Sequence, residues 1–440
     1  MTGRAPHGWG RTSKGAPARL LSPTSAGDLA HIFASPERDD SFLACGLGRS
    51  YGDSALNTDG TLIDCRFLDR LLSFDAQSGL LECEAGVSIA EINRVFVDKG
   101  WMLPVVPGTR FVTVGGAIAN DVHGKNHVSQ GNFGTHLASL RVIRSNGEVQ
   151  ECSPLENIEL FAATIGGLGL TGVVVSAKIQ LRPIQSSLMN VNHIPFKNLA
   201  ELFSLAEDQL TSWEYHSAWM DPAAACRKGL YITARHSAQK GTLSQSQQLR
   251  SLPLRPMAGL ATDLPGRLFM KAANTWYRRA VRKGMRQASL ESVLYPLDRL
   301  PDWNALFGKP GFFQHQCVLP EAVAPDALDE LLKAVEGSGQ SATLAVGKWF
   351  GQRQSPGLLS FPAPGFSLAI DFANRGSQTR ELLDELDKVV ADCGGKPYPA
   401  KDARMASSLF AGAYPLLEQF EQHIDPFFGS DFWRRMGRVV

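Results

Sequence analysis

Gly46-Leu-Gly-Arg-Ser-Tyr-Gly-Asp53 is the stretch that decides the fold of this chain, and a second glycine-rich stretch supports it. The second contains Pro107-Gly-Thr-Arg110 and the run Gly115-Gly-Ala-Ile-Ala-Asn-Asp-Val-His-Gly-Lys-Asn126. Glycine has no Cβ, so successive backbone N–H groups in such loops converge on an anion. Either stretch alone is compatible with ordinary tight turns. Together they predict a two-part cradle for a pyrophosphate and the ring system attached to it.

Composition bounds the class of protein. A chain of 440 residues suits two or three domains, and 44% hydrophobic with 20% charged residues is typical of a soluble globular protein. The net charge of +1 provides no overall field that would recruit nucleic acid. Seven scattered cysteines without a C-x-x-C spacing indicate reduced thiols and no metal site. No signal-peptide core and no run of 18 apolar residues occurs, so we expect a cytoplasmic protein.

The order of predicted elements changes along the chain. Short strands and helices alternate up to about residue 190, and a capping box at Ser88 and Glu91 predicts a helix that ends near Gly100. The strands expected in this part are 61–65, 80–84, 137–143, 149–152 and 172–181, with a short helix at 157–165. Later residues predict an antiparallel sheet under helices. The elements expected there are strands 313–319, 344–350 and 366–372 and helices 324–336 and 379–392.

Gly167-Leu-Gly-Leu-Thr-Gly172 matches the dinucleotide-binding pattern G-x-G-x-x-G letter for letter. That interpretation requires a preceding strand, a following helix and an acidic residue about 20 residues later. Here a helical stretch precedes the glycines, a strand follows them, and Leu181-Arg-Pro-Ile184 offers no acid. The sequence therefore does not predict a Rossmann domain.

The two glycine stretches resemble those of the FAD-dependent oxidoreductases of the vanillyl-alcohol oxidase type. The similarity extends over nearly the whole chain, through Tyr295-Pro-Leu-Asp298, Phe313-Gln-His-Gln316, Lys348-Trp-Phe-Gly351, Ser360-Phe-Pro-Ala-Pro-Gly365, Asp371-Phe372 and Ala400-Lys-Asp-Ala-Arg404. It implies an α+β fold with a two-lobed FAD-binding domain and a substrate domain in which helices cover an antiparallel sheet. The implied bounds are 18–190 for the first FAD-binding segment, 191–394 for the substrate domain and 395–440 for a C-terminal segment that returns to the FAD-binding domain.

The resemblance also implies which residues hold FAD. They are Ala44, Cys45, Gly46, Leu47, Gly48, Arg49, Ser50, Tyr51, Gly52, Asp53, Ser54, Gly108, Thr113, Val114, Gly115, Gly116, Asn120, Asp121, Val122, His123, Val174 and Tyr398. In many relatives a histidine of the first glycine stretch is bonded to the flavin. No histidine occurs there in this chain, so we expect non-covalent FAD.

Two residues are the candidates for catalysis. Lys401 is expected beside the flavin, where a cation stabilises charge that develops on the substrate oxygen or takes part in proton transfer. Without the resemblance, the favoured interpretation of Lys401 is a solvated lysine at a strand end. His123 is suited to proton handling or hydrogen bonding near neutral pH, or to fixing its own loop.

A second group of residues is expected to bind the substrate. The candidates are Tyr51, Gln314, Gln316, Lys348, Ser367 and Lys401. Gln314 and Gln316 alternate with other residues of a predicted strand and so share one face, although a merely polar sheet face is the alternative. Better-known members of the family carry a cysteine where this chain has Ala369, so its chemistry does not depend on a thiol at that position.

Residues 250–290 combine nine basic residues between Arg250 and Arg286 with interleaved apolar side chains. Such a composition is typical of a segment that lies peripherally on the inner, anionic face of a membrane. A mobile lid or an ordinary solvated helix is equally compatible with it.

The resemblance implies oxidation of the 2-hydroxyl of a polyprenyl-phosphoryl ribose to a 2-keto intermediate. A separate NAD(P)H-dependent reductase partner would complete a 2-epimerisation of this lipid-linked sugar substrate. One alternative is an oxidase of a free alditol, sugar or lactone that uses oxygen. A second alternative is a non-catalytic flavin-binding partner protein. The length of the prenyl chain, the physiological electron acceptor and the oligomeric state are not encoded in these motifs.

Overall fold

The computed structural model describes residues 7–34, 41–239, 259, 264–300 and 302–438. Its described residues form sheets of eight, five, three and two strands, with helices packed against them. The predicted α+β fold class is confirmed.

The first part of the chain contains a small parallel sheet and a larger antiparallel one. Its strands are β1 (Arg19–Leu21), β2 (Phe42–Cys45), β3 (Thr61–Asp64), β4 (Leu71–Asp75), β5 (Leu80–Glu84), β6 (Trp101–Met102), β7 (Leu137–Ile143), β8 (Val149–Cys152), β9 (Val173–Gln180) and β10 (Arg182–Pro183). Its helices are α1 (Ala26–Phe33), α2 (Ile89–Phe96), α3 (Val114–Ala119), α4 (His127–Gln130) and α5 (Ile158–Thr164). The parallel sheet has the order β1-β3-β2, the antiparallel sheet has the order β4-β5-β9-β7-β8, and β6 pairs with β10.

Local sequence explains α2 well. The Ser88 hydroxyl accepts a hydrogen bond from the Glu91 N–H over 3.1 Å, a cap that stabilises a helix by about 1 kcal/mol. Ile89, Ile92 and Phe96 are buried against the antiparallel sheet. The helix passes into a short 3₁₀ turn, which stops at Gly100 with a φ of +83°, as the sequence predicts.

The second part of the chain is built on the eight-stranded sheet. Its strands are β11 (Leu188–Phe196), β12 (Tyr215–Met220), β13 (Gly229–His236), β14 (Gly284–Ser289), β15 (Phe312–Pro320), β16 (Leu344–Phe350) and β17 (Gly365–Ala373), and the C-terminal β18 (Lys396–Pro397) joins the same sheet. The order across the sheet is β14-β11-β13-β12-β16-β17-β15-β18. Its helices are α6 (Leu199–Gln209), α7 (Leu264–Ala280), α8 (Leu290–Leu294), α9 (Ala324–Gly337) and α10 (Ser377–Asp392). All pairs in this sheet are antiparallel.

The two faces of the eight-stranded sheet differ. Leu202 of α6, Leu331 of α9 and Leu386 of α10 pack on one face in a single apolar cluster. The residues that share the other face include Gln314, Gln316, Ser367, Ala369, Asp371 and Lys348, because they stand opposite one another or alternate in the strand register. This second face is turned toward the first part of the chain.

The C-terminal residues return to the first part of the chain. They comprise β18 (Lys396–Pro397), α11 (Ser407–Ala413), α12 (Leu417–Glu421) and α13 (Asp431–Arg435). The Phe42 N–H donates to the Phe427 carbonyl over 2.7 Å, which extends the parallel sheet at β2. Phe420 and Trp433 pack with Leu168 in a buried cluster. The division into segments 18–190, 191–394 and 395–440 by function stays a prediction.

Candidate active site

The first glycine loop, residues 46–53, follows β2 and is covered on its outer side by the N-terminal residues. The N–H groups of Trp9 and Gly10 donate to the carbonyls of Ser50 and Tyr51 over 2.8 and 3.0 Å. The Ser50 and Tyr51 carbonyl groups are therefore paired within the protein, and the N-terminal residues fix the position of the loop.

The N–H groups of the same loop are differently placed. Those of Gly48, Ser50 and Gly52 donate no hydrogen bond to any residue that the structure describes. Gly48 has a φ of +61°, which favours glycine. A Cβ at Gly52 would lie 1.7 Å from the carbonyl oxygen of Asp402, so only glycine fits there. Free N–H groups in a loop without side-chain obstruction are the donor set that a pyrophosphate requires.

The second glycine loop contacts the first. Thr113 caps α3, and its hydroxyl accepts a hydrogen bond from the Gly116 N–H over 3.1 Å. A Cβ at Gly46 would lie 2.3 Å from the Thr113 Oγ1 atom. The two glycine stretches, which are far apart in sequence, thus form one continuous surface.

Several buried polar atoms of these glycine stretches lack a hydrogen-bond partner among the described residues. The Ser54 Oγ, Asn120 Oδ1 and His123 Nδ1 atoms make no hydrogen bond within the described residues. Buried polar atoms in folded proteins are normally paired. Their positions on or directly next to the two glycine loops fit a polar ligand of the FAD type, which would supply the missing partners.

Some predicted cofactor residues are part of the framework instead of the surface. Asp121 is fully buried and accepts hydrogen bonds from the Asn132 side chain, the Gly134 N–H and the Ser360 hydroxyl. Val114, Val122 and Val174 are buried in the core of the first part. The remaining predicted cofactor residues lie on the two loops or at the end of β2: Ala44, Cys45, Gly46, Leu47, Arg49, Asp53, Gly108 and Gly115. The assignment of all these residues to FAD stays a prediction.

Tyr398 connects the C-terminal segment to the second glycine loop. Its hydroxyl donates to the Asn120 carbonyl over 3.0 Å. Its ring stacks on Phe361, with centroids 4.4 Å apart and an interplanar angle of 18°. The segment that follows Tyr398, including Lys401, is therefore fixed relative to the loop.

His123 lies between the second glycine loop and the polar face of the large sheet. Its Nε2 atom is 3.2 Å from the amide nitrogen of Gln316, which donates to it, and its ring lies edge-on to Phe350. Burial, together with the positive charges of Lys348 and Lys401, holds the pKa of His123 well below its usual range. His123 is therefore a neutral hydrogen-bonding group at neutral pH.

Asp371 forms a buried polar centre on the same sheet face. Its carboxylate accepts hydrogen bonds from the Gln314 amide over 2.5 Å and from the Trp303 indole over 3.1 Å. Burial raises the pKa of Asp371 to about 6, while these two hydrogen bonds and the Lys401 charge oppose that rise. At neutral pH Asp371 is an anion that faces Lys401.

Lys401 lies directly against the first glycine loop. Its Nζ atom is 3.6 Å from the centroid of the Tyr51 ring, and the Tyr51 N–H donates to the Ala400 carbonyl over 2.9 Å. Burial lowers the pKa of Lys401 to about 7; the Asp371 charge raises it and the Lys348 charge lowers it further. Lys401 is therefore able to change its protonation state near neutral pH.

Two further lysines border the same cleft. Lys348 stands opposite Ser367 in the register of β16 and β17, and burial lowers its pKa to about 8. Lys125 donates from Nζ to the Val293 carbonyl, and burial followed by the Lys348 charge lowers its pKa to about 7. Each of these cations lies in a site where an anionic ligand would restore its ordinary pKa.

The structure therefore brings the predicted catalytic and substrate residues into one cleft. A pocket beside this group is lined by Gln314, Gln316, Tyr398 and Lys401, together with Phe313, His315, Leu383, Asp387, Pro397 and residues 402–405. Sequence reasoning gave no role to Lys125 and Asp371, although both stand in motifs that it quoted. Nothing in the sequence pointed to Trp303.

Comparison with known proteins agrees with this geometry. Residues 17–153 match an FAD binding domain family. The chain is 35% identical, over 98% of its length, to the decaprenylphosphoryl-β-D-ribose oxidase of Mycolicibacterium smegmatis, of which it covers 96%. It is 28% identical to the L-gulonolactone oxidase of Mus musculus over 40% of each chain. It is also 31% identical to the L-gulono-1,4-lactone dehydrogenase of Mycobacterium tuberculosis, over 38% of this chain and 39% of that one.

The lactone-oxidising relatives are matched over less than half of the chain, whereas the ribose oxidase is matched over nearly all of it. The N–H groups of Gly48, Ser50 and Gly52, which bind no described residue, the unpaired buried polar atoms beside the loops and the matching domain all fit FAD as the cofactor. The chain is therefore an FAD-dependent oxidoreductase and belongs to the family of flavoprotein oxidases that includes the decaprenylphosphoryl-β-D-ribose oxidase of Mycolicibacterium smegmatis.

Proposed function

We propose that this protein oxidises the 2-hydroxyl of a polyprenyl-phosphoryl ribose to a 2-keto sugar. The observation that carries the proposal is the position of Lys401, with a pKa near 7, between the first glycine loop and the polar sheet face. The full-length similarity to a decaprenylphosphoryl-β-D-ribose oxidase supports the choice of substrate.

The residues of the cleft suit the removal of a hydroxyl proton. Oxidation of an alcohol removes one hydrogen from carbon with its electron pair and one proton from oxygen, and bound FAD supplies the acceptor for the electron pair. Neutral Lys401 is the base that takes the hydroxyl proton. Asp371 then stabilises the ammonium form of Lys401, because its anion faces that nitrogen.

The sugar and its phosphate would be held by uncharged and cationic groups respectively. Gln316, His123 and Ser367 lie together on the polar sheet face and offer hydrogen bonds to ribose hydroxyls. Lys348 and Lys125 provide positive charge for the phosphodiester.

The prenyl chain would leave the cleft beneath α7. Tyr277 of α7 lies edge-on to Trp219 of β12, with ring centroids 4.9 Å apart, and Trp219 shares the polar sheet face with Val346. Leu268 and Trp276 are exposed on the helix, at 62% and 70%. Lys271, Arg279, Arg282 and Lys283 add positive charge. This part of residues 250–290 fits peripheral contact with an anionic membrane surface.

Other parts of that segment are not described. Arg250 and Arg255 lie outside the described residues, as do the side chains of Arg267, Phe269 and Met270. In the described part of the chain, every helix is too short or too polar to cross a membrane. Peripheral contact remains part of the proposal and is tested by sedimentation with anionic vesicles at low salt. Protein that stays in the supernatant would contradict it.

Anaerobic mixing of the purified flavoprotein with farnesylphosphoryl-β-D-ribofuranose tests the proposed function. We expect the flavin absorbance to bleach with one 2-keto sugar formed per flavin. Bleaching by soluble alditols or lactones, with peroxide released in air and indifference to the prenyl sugar, would instead establish the free-sugar oxidase. A flavin that no sugar reduces would establish a non-catalytic flavin protein.

The keto product implies a second enzyme. A 2-keto sugar is converted to the 2-epimer only by delivery of hydride to the opposite face, which requires a reductant that this chain's residues do not provide. We infer a separate NAD(P)H-dependent reductase as partner. Its candidate is tested by adding it with NADH or NADPH to the keto product and following formation of the epimer; failure to consume the keto sugar would exclude that candidate.

A further inference from the structure

Arg435, in the last helix of the chain, forms a bridge between two segments of the candidate site. Its guanidinium donates from Nε and Nη2 to the two carboxylate oxygens of Asp53 over 2.7 and 2.9 Å. The same Nη2 atom donates to the Asp402 Oδ2 atom over 2.7 Å, and Nη1 donates to the Met405 carbonyl over 2.8 Å. The side chains of Asp53 and Asp402 are each only 10% exposed.

The two bridged carboxylates stand next to the residues on which the proposed chemistry depends. Asp53 lies two positions after Tyr51, and Asp402 directly follows Lys401. The other Asp402 oxygen accepts from the N–H groups of Arg404 and Met405, which fixes a turn at this point. Asp402 thus has one oxygen committed to its own turn and one to Arg435.

Without the guanidinium, two nearly buried carboxylates would face each other. Like charges at such positions repel, and burial already raises the pKa of Asp53 although Arg435 opposes the rise. The two segments touch tightly, because a Cβ at Gly52 has no room beside the Asp402 carbonyl. Repulsion there would therefore separate the first glycine loop from the Lys401 segment.

We propose that Arg435 is a positioning residue, which joins the first glycine loop to the Lys401 segment and so keeps Lys401 over the Tyr51 ring. Among the described residues its guanidinium donates hydrogen bonds to Asp53, Asp402 and Met405, so it acts on Lys401 through these neighbours. The inference rests on the proposed function of Lys401 as a base.

The test compares Arg435→Met with Arg434→Met. Arg434 is the neighbour on the same helix and bonds to Asp431, Asn57 and Thr58, away from Lys401. We expect Arg435→Met to bind FAD, with a changed visible circular dichroism of the flavin, and to reduce it about 10- to 100-fold more slowly. We expect Arg434→Met to lower only the melting temperature.

A pH profile separates positioning from general stability. If Lys401 leaves its desolvated position, its pKa rises. The acidic limb of the plot of flavin-reduction rate against pH should then lie at a pH about one unit or more higher in Arg435→Met than in the wild type. The limb is shaped by the groups that face Lys401, namely Asp371, Lys348 and Tyr51, which this variant leaves intact. An unshifted limb with a normal rate would overturn the proposal.

A second variant covers the case in which Arg435→Met fails to fold or loses FAD. Asp402→Asn keeps the side-chain shape and its turn but removes the charge that Arg435 binds. We expect the weakened bridge to slow flavin reduction by less than Arg435→Met does. If the prenyl sugar does not reduce the flavin of the wild-type protein, the proposed function is refuted. If the wild type is active and Arg435→Met and Asp402→Asn reduce their flavin at the wild-type rate, only the role of Arg435 is refuted.

Discussion

The Nζ atom of Lys401 lies 3.6 Å from the centroid of the Tyr51 ring, so a lysine near the C terminus sits on the loop that begins the cofactor cradle. An aromatic face favours the ammonium form, as does the Asp371 anion, whereas burial and Lys348 favour the neutral amine. Burial prevails and lowers the pKa of Lys401 to about 7. The two protonation states of Lys401 are therefore close in free energy at neutral pH.

Lys401→Met is expected to keep FAD while flavin reduction by the prenyl sugar slows by about 10²- to 10⁴-fold, the usual contribution of a general base. In the wild type, the rate should rise with pH through about 7 as the neutral amine forms. Stopped-flow absorbance across pH 5.5–9 measures both effects, in buffers of about equal ionic strength. Lys396→Met is the matched control, because Lys396 is also partly buried but donates to the Ser360 carbonyl. A normal rate in Lys401→Met would remove Lys401 from the chemistry.

Asp371→Asn should shift the acidic limb of the plot of flavin-reduction rate against pH to lower pH. The carboxylate raises the pKa of Lys401, so removing its charge lets that pKa fall, by about one unit. Asparagine keeps an oxygen to accept from the Trp303 indole, which limits the structural change. The effect requires an ionised Asp371 in the wild type and should therefore be lost below about pH 6. A limb that moves upward would show that Asp371 does not act on Lys401 as an anion.

A buried histidine outside the catalytic group should make stability depend on pH. The His127 Nδ1 atom accepts from the Gly351 N–H over 3.1 Å, and its Nε2–H donates to Asn132, so protonation at Nδ1 would break a hydrogen bond. Burial lowers the pKa of His127 to about 4. The unfolded chain, with a pKa of about 6.5, binds the proton first as the pH falls.

The free energy of unfolding should therefore be unaffected by His127 above pH 6.5 and fall between about 6.5 and 4, by about 2 kcal/mol at pH 5. His127→Gln should remove this part of the slope in urea unfolding at pH 7 and pH 5. His31→Gln, at an exposed position on α1, is the control. An equal slope in wild type and His127→Gln would mean that His127 is solvated or charged in the folded protein.

Much of the fold follows from local sequence, whereas the contacts that join distant residues in the candidate site do not. The N-cap at Ser88 and the alternation of Gln314 and Gln316 on a strand are local patterns, and both are confirmed. The second half of the predicted capping box is absent, because the Glu91 carboxylate binds Arg94 instead of the Ser88 N–H. The rejected dinucleotide motif indeed lies between a helix, α5, and a strand, β9. The contact between His123 and Gln316 joins residues 193 positions apart, and no periodicity encodes it.

Motif reading also does not separate residues that face a ligand from residues that support the loop. Asp121 stands inside the second glycine stretch, yet its carboxylate accepts hydrogen bonds from Asn132, Gly134, Ser355 and Ser360 of the protein itself. Trp303 and Arg435 were missed for the opposite reason. Each reaches the site from an element whose own sequence shows only ordinary amphipathic residues, so their function depends on tertiary packing alone.

FAD should be released when the protein is denatured. The first glycine loop presents Arg49, Ser50 and Tyr51 where a histidine would be needed for attachment to the flavin. Precipitation of the holoprotein with acid, followed by absorbance of pellet and supernatant, measures the partition. We expect a colourless pellet and yellow supernatant that contains intact FAD by mass. Flavin that remains on the polypeptide would show a covalent bond through another side chain.

Ala369 gives the last prediction, because it faces the cleft between Gln316 and Val346 in the strand register. Cys317 on β15 is fully buried and points to the helix-covered face, and burial raises the pKa of its thiol. A maleimide should therefore label no residue of the cleft in the wild type, while Ala369→Cys gains one label at position 369. Peptide mass mapping identifies the site against any background from Cys45 and Cys393, which are partly exposed. Farnesylphosphoryl-β-D-ribofuranose should protect the new thiol under anaerobic conditions, and labelling that the sugar does not slow would place the substrate away from the polar sheet face.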